Sequence, residues 1–170
     1  MNNLMTSPIE IRKANILDAS TIAELVCSVA ASCLGEDAIS FVNTISPDKI
    51  KANIQDKNFS YALGFVASEL VAMAAMRDQH HFYHLFVAAK FQNKGIAMSL
   101  WLYLKNEAVA SGTSIFTVNS SHYAVPVYKK FGFVQMNTAQ IKNGIRYVPM
   151  QLSLWVDDCG SARRLLSIQT

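Results

Sequence analysis

Charge and cysteine are both scarce in this chain. Of its 170 residues 16% are charged, and 15 lysines and arginines against 12 aspartates and glutamates leave a net charge of +3. The basic residues are scattered, so the dense cationic stripe of a nucleic-acid binder is missing, although a mildly basic surface suits a small anion. Cys27, Cys33 and Cys159 form no Cys-x-x-Cys pair and have no matched histidine spacing. That pattern excludes a recognisable zinc site, and an odd count argues against a disulfide framework. The thiols read as those of a reducing compartment. Charges or glycines interrupt every apolar run before it could span a membrane, and the start MNNLMTSPIE has no signal-peptide core. The expectation is a cytoplasmic protein with no metal, no nucleic-acid partner and no membrane contact.

Repeats, low-complexity tracts and linkers are absent as well. With half its residues hydrophobic, the chain is long enough for one sizeable core without disulfide staples. We read one domain over residues 1–170, with its core at about 8–155 and a tail at 156–170 of unassigned structure. Residues 8–13 alternate as a half-buried strand, and 19–31 follow a helical period with Ile22, Leu25, Val26 and Val29 in one stripe. Asp18 is the candidate cap of that helix. Ser46-Pro47 opens a short helix running to about residue 56. Strands are expected at 59–67, 70–77 and 81–88, the first two joined across Ser68-Glu69. A helix at 96–109 leads to a strand at 114–118, which should run parallel to its predecessor. Pro126 makes the next helix begin irregularly or kink, Gly132 ends it, and Asn143-Gly144 turns a closing hairpin of strands at 133–141 and 145–155. The fold class is α/β of the α+β type, with a mixed, mostly antiparallel sheet of about seven strands flanked by helices.

The informative stretch is 81–111. The run HFYHLFV reads as a buried strand, and Ile96, Leu100, Leu104 and Ala108 stack on one face of a long helix. Between them lies Gln92-Asn93-Lys94-Gly95-Ile96-Ala97. A helix opening there offers free N–H groups and the positive end of the macrodipole, which suits phosphate. Gly95 lets a ligand approach the backbone closely.

This stretch resembles the cofactor loop of the GNAT (Gcn5-related) N-acetyltransferases, whose pattern is a strand, Gln/Arg-x-x-Gly-x-Gly/Ala, and a helix. Their late helix reads Ala-x-x-x-Tyr-x-x-x-Gly-Phe, and here Ala124, Tyr128, Gly132 and Phe133 fill it. The resemblance spans about residues 9–155. It implies a sheet splayed between its fourth and fifth strands. It also implies that the amides of Gln92, Asn93, Lys94, Gly95, Ile96 and Ala97 cradle the pyrophosphate of acetyl-CoA. The strand edge at Leu85, Phe86 and Val87 would then pair with the pantetheine arm. Lys94 either adds a charge contact or is merely solvated. Asn119 either bonds that arm or caps a helix.

Acetyl transfer needs a neutral amine and a stabilised leaving thiolate, whereas an alkylammonium holds its proton up to about pH ~10. By resemblance Tyr128 protonates the thiolate, and Tyr123 lies on another helix face. His81 near the start of the fourth strand is the candidate base, with a structural histidine or a water chain as the other readings. Glu36 and Asp37 either greet a cationic amine or form a solvated loop. The implied activity is transfer of the acetyl group of acetyl-CoA to a primary amine, small or peptidic, directly within a ternary complex. The alternative is a non-catalytic acyl-CoA-binding or regulatory module. The apolar end strands and the tail are compatible with a homodimer.

Overall fold

The apolar runs of the first half become a meander. The computed structural model describes residues 8–156 and 162–164. In it β1 (Glu10–Lys13), β2 (Phe59–Val66), β3 (Glu69–Arg77) and β4 (His81–Val87) lie side by side, each antiparallel to the next. The tight turns adopt left-handed backbone without glycine: φ is +48° and +66° at Ala67 and Ser68, and +54° and +60° at Asp78 and Gln79. Such turns match the twist of the flanking strands, so the sheet overrides local preference. The first hairpin therefore turns at Ala67-Ser68, one residue before the expected Ser68-Glu69.

Three helices fill the β1–β2 connection: α1 (Ala19–Cys33), α2 (Ala38–Val42) and α3 (Pro47–Gln55). Asp18 stands at the N-cap position of α1, as expected, but its side chain makes no capping hydrogen bond. Its carboxylate instead accepts the Asn15 N–H at 2.8 Å and both arms of the Arg12 guanidinium at 2.7 and 2.8 Å. Asn15 is the capping residue here, opening a 3-10 turn that runs straight into α1. The Arg12 contact holds the Asp18 carboxyl below its ordinary range. At α3 the expectation holds, with Ser46 Oγ accepting the Lys49 N–H at 3.2 Å and Pro47 in the first turn.

After β4, α4 (Ile96–Ala110) crosses over to β5 (Ile115–Ser120), which is parallel to β4. Next comes α5 (Val125–Phe131), with Pro126 in its first turn, where a missing N–H is harmless. Gly132, at φ +101°, closes it. The chain continues through β6 (Val134–Gln135), β7 (Gln140–Lys142), β8 (Ile145–Val156) and β9 (Ala162–Arg164). Strand order is β1-β2-β3-β4-β5-β8-β6, with β7 and β9 also paired to β8. The described residues thus hold nine strands, not about seven. The single strand expected at 133–141 breaks because the β6 ladder meets Pro149, which has no N–H to give, and Asn137 folds back to accept the Thr138 N–H at 2.8 Å. In the tail, residues 162–164 pair with Leu154, Trp155 and Val156; the remainder of 157–170 lies outside the described residues.

The sheet carries a core on each face. Phe82, Trp101, Phe116 and Tyr128 pack on the α4 and α5 side; Ile22, Val26, Leu63 and Met73 pack on the α1 and α3 side.

Candidate active site

The two cores meet at a defect in β4. Its ladder with β3 slips by one residue, so that Ala75 faces His84, Met76 faces Phe82, and Tyr83 is the extra residue of a bulge. The bulge breaks the strict alternation that would put His81, Tyr83 and Leu85 on one face. Leu85 and Val87 instead join the α4-side core, as Phe82 does, while Tyr83 and Phe86 join the α1-side core. His84 lies against Tyr83 and Phe41, with ring centroids 4.3 and 5.7 Å away.

The sheet also splays here. β4 pairs with β5 only at His81–Thr117 and Phe82–Val118, then parts from it and runs on to Val87 paired with β3 alone. The Ala88 N–H donates to Val71 O at 2.8 Å. Alternation along an antiparallel pair then turns the peptide groups of Leu85 and Val87 into the gap, and those of Phe86 toward Met73 of β3. A cavity of about 660 Å³ fills the splay and passes from one face of the sheet to the other. Its α4-side walls include Leu85, Val87, Gly95, Asn119 and Tyr128; its α1-side walls include Val29, Phe41, Tyr83, His84 and Phe86.

At the α4-side mouth sits the loop that the sequence singles out. Asn93 and Gly95 take left-handed backbone, φ +60° and +80°. The first backbone bond of the helix start runs from the Ser99 N–H to Gly95 O, so the N–H groups of residues 93–98 have no backbone partner among the described residues. A Cβ built on Gly95 would meet nothing within 4 Å. The Gln92 side chain acts as a strut: its Nε2 donates to Val87 O at 2.9 Å, and its Oε1 accepts the Tyr123 hydroxyl at 3.0 Å. Lys94 stands outside the lining, its ammonium 5.3 Å from the Phe91 ring centroid. Ile96 is buried beneath the loop, and Ala97 lines the cavity.

Residues 29–154 match the family model of the acetyltransferase (GNAT) domain. The chain belongs to the GNAT acetyltransferase family. Its fold is also that of a GCN5-related N-acetyltransferase from Rhodopseudomonas palustris, with TM-score 0.79, 19% identity, and coverage of 88% of this chain and 99% of that one. PaiA N-acetyltransferase from Thermoplasma acidophilum, solved with coenzyme A, gives TM-score 0.75 at 17% identity over 86% and 99%. Ribosomal-protein-alanine N-acetyltransferase from Brucella melitensis gives 0.67 at 18% over 85% and 99%. No curated protein sequence matches the chain.

In this GNAT domain Tyr128 is buried, with its ring edge-on to Phe82 and Phe133 at 5.9 and 5.7 Å. Its hydroxyl has no hydrogen-bond partner among the described residues, yet it is not sealed off; it opens to the cavity. Burial raises its pKa, so the phenol stays protonated. His81 and His84 part company. His81 lies outside the lining, its Nδ1 2.8 Å from Thr117 Oγ1, whereas His84 is in the lining. Nothing in HFYHLFV marks the bulge that brings His84 there. Asp37 lines the other mouth, 3.2 Å from the Arg146 Nε. Among the described residues no cluster of His, Cys, Asp or Glu could hold a metal, and no helix is long and apolar enough to cross a membrane.

Both histidines resist protonation. Burial, helped by the charge of Lys49, lowers His84 to about 3. Burial, helped by Arg77 and His80, lowers His81 to about 4. An unfolded histidine titrates near ~6.5, so below that pH the unfolded chain binds protons that the native chain refuses. Stability is therefore complete above about pH 6.5 and falls as the pH drops toward 4, by at most ~1.4 kcal/mol per unit per histidine. The thermal midpoint should fall between about pH 7 and 5, and fall less in a His81→Gln/His84→Gln double variant. An unchanged profile in that variant contradicts this assignment.

Proposed function

We propose that this protein is an acetyl-CoA-dependent N-acetyltransferase that moves the acetyl group directly to a primary amine while both substrates are bound. One observation carries the reading: a single cavity crosses the sheet at its splay, with unpaired amides at one mouth and a separate chamber beyond. Acetyl-CoA supplies the thioester. The free N–H groups of residues 93–98 and the open space at Gly95 fit a pyrophosphate. The N–H and C=O of Leu85 and the N–H of Val87 fit the amides of a pantetheine arm; the Val87 carbonyl is already taken by Gln92. The coenzyme A held by the Thermoplasma relative supports the same choice of ligand. Asn119, at the cavity wall, is a further donor and acceptor for the arm.

In the transfer the amine nitrogen bonds to the acyl carbon, the carbon–sulfur bond breaks, and the nitrogen gives up its proton to solvent. Tyr128 donates its hydroxyl hydrogen to the departing sulfur and regains one from solvent through the cavity, balancing the proton that the nitrogen releases; its burial keeps the hydroxyl protonated at neutral pH between turnovers. His81 is assigned no part in this scheme, because it lies outside the cavity lining. The test is thiol release from acetyl-CoA with a panel of primary amines, with the acetylated product identified by mass spectrometry. Amine-dependent release supports the enzyme. Binding of acetyl-CoA without release from any amine assigns the protein to the non-catalytic acyl-CoA-binding class.

A further inference from the structure

We propose that the α1-side chamber selects an amine in its uncharged form, carried on an aryl or branched-alkyl body, and turns polycations away. This rests on the acetyl-transfer reading for the purpose of the chamber, though not for its chemistry. The walls are apolar: Val29 and Leu34 from the end of α1, Phe41 from α2, and Tyr83 and Phe86 from β4. Phe41 stands 5.5 Å from Phe86 and 5.7 Å from His84 between ring centroids, forming one aromatic wall. A ring or branched chain laid there would bury apolar surface at no polar cost.

The charges argue in the same direction. Asp37 is the one carboxylate in the lining among the described residues, and it is committed to Arg146 at 3.2 Å. Among the described residues the other polar side chains lining the chamber, Tyr83, His84, Arg146 and Tyr147, are neutral or cationic. Outside the lining, Lys49 of α3 acts on His84, and Arg77 of β3, paired with Asp78 at 3.2 Å, lies 5.6 Å from the centroid of Tyr83; Tyr147 of β8 donates its hydroxyl to Gln140 Oε1. A cation–π role for Tyr83 toward an incoming ammonium is pre-empted by Arg77. A desolvated ammonium would thus meet no free carboxylate among the described residues of the lining.

His84 completes the selection. Neither of its ring nitrogens has a hydrogen-bond partner among the described residues, and neither is sealed from the cavity. A neutral imidazole there can accept an N–H from an uncharged amine and hold its lone pair toward the thioester. It cannot strip an ammonium, because a group lowered to about 3 lies some ~7 units below an alkylammonium. The proton must be lost in water before the amine enters. Acceptors of low basicity are favoured for that reason.

Two arms test this. In the first, calorimetry measures binding of benzylamine and of spermidine to the protein without acetyl-CoA, at pH values on either side of the benzylamine pKa. In the second, kcat/KM is compared for the same amines in the thiol-release assay, beside a separate titration with acetyl-CoA. The expected result is benzylamine preferred over spermidine by about tenfold or more, with affinity and kcat/KM rising about tenfold per pH unit up to the amine's own pKa. Phe41→Ala should lower kcat/KM for benzylamine, and Phe41→Glu should shift preference toward spermidine. Preference for spermidine in wild type, or a flat pH dependence, overturns the proposal while leaving acetyl transfer intact. Failure of acetyl-CoA to bind defeats the acetyl-transfer reading instead, and the first arm still decides the chamber's selectivity.

Discussion

Replacing Tyr128 with phenylalanine should lower kcat about a hundredfold while acetyl-CoA affinity stays within about twofold. The ring is held by Phe82, Phe131 and Phe133, all of which the variant keeps. The hydroxyl bonds to nothing else among the described residues, so removing it leaves no hole and orphans no partner. The variant should therefore melt at the wild-type temperature or slightly above, since a poorly solvated hydroxyl has been deleted. What it should lose, on the proposed mechanism, is the hydrogen for the departing thiolate. Amine-dependent thiol release measured beside a thermal melt separates the two effects. Wild-type kcat in Tyr128→Phe would remove Tyr128 from the chemistry.

Trp101→Ala is the largest expected loss of stability, about 3–5 kcal/mol. Trp101 is 2% exposed and fixes α4 against everything around the splay. It meets Phe82 of β4, Phe116 of β5 and Phe133 at 5.2 Å each, and stacks on Phe131 of α5 at 6.0 Å. Phe82 belongs to the last pair before β4 and β5 separate, so the tryptophan clamps the point where the cavity begins. The thermal midpoint should fall by about 10 °C. Any folded remainder should bind acetyl-CoA more weakly, because the mouth of the splay is no longer fixed. A loss near that of an exposed substitution, at most about 0.5 kcal/mol, would contradict this role.

Local chemistry was legible in the sequence; long-range geometry was not. Ile96, Leu100, Leu104 and Ala108 are all buried, as their spacing on one helix face requires. Ser46-Pro47, Gly132 and Asn143-Gly144 each mark an element boundary where the structure has one, because capping and left-handed backbone are decided within a few residues. The loop from Gln92 to Ala97 could be recognised for the same reason. The bulge at Tyr83 leaves no trace in HFYHLFV, since it is set by the register against β3. Without it, alternation selects His81 as the histidine of interest, and the structure brings His84 into the cavity instead. The far chamber is assembled from α1, α2, β4 and β8, and its Asp37–Arg146 pair joins residues 109 apart in sequence. No window along the chain contains that information. Gln92 carried a surprise of the same kind: its side chain braces Val87 and Tyr123.

The measurement that tests the central claim most directly is a calorimetric titration of acetyl-CoA into wild type and Gly95→Val. Gly95 opens α4 at φ +80°, and its missing side chain leaves open space at the cavity mouth. Valine there would strain the left-handed backbone and fill the room that a phosphate needs. One molecule of acetyl-CoA should bind per wild-type chain, and the variant, still folded by its melt, should bind at least about tenfold more weakly. No binding to wild type, or equal binding by both, would contradict the assignment of this loop and cavity to acetyl-CoA.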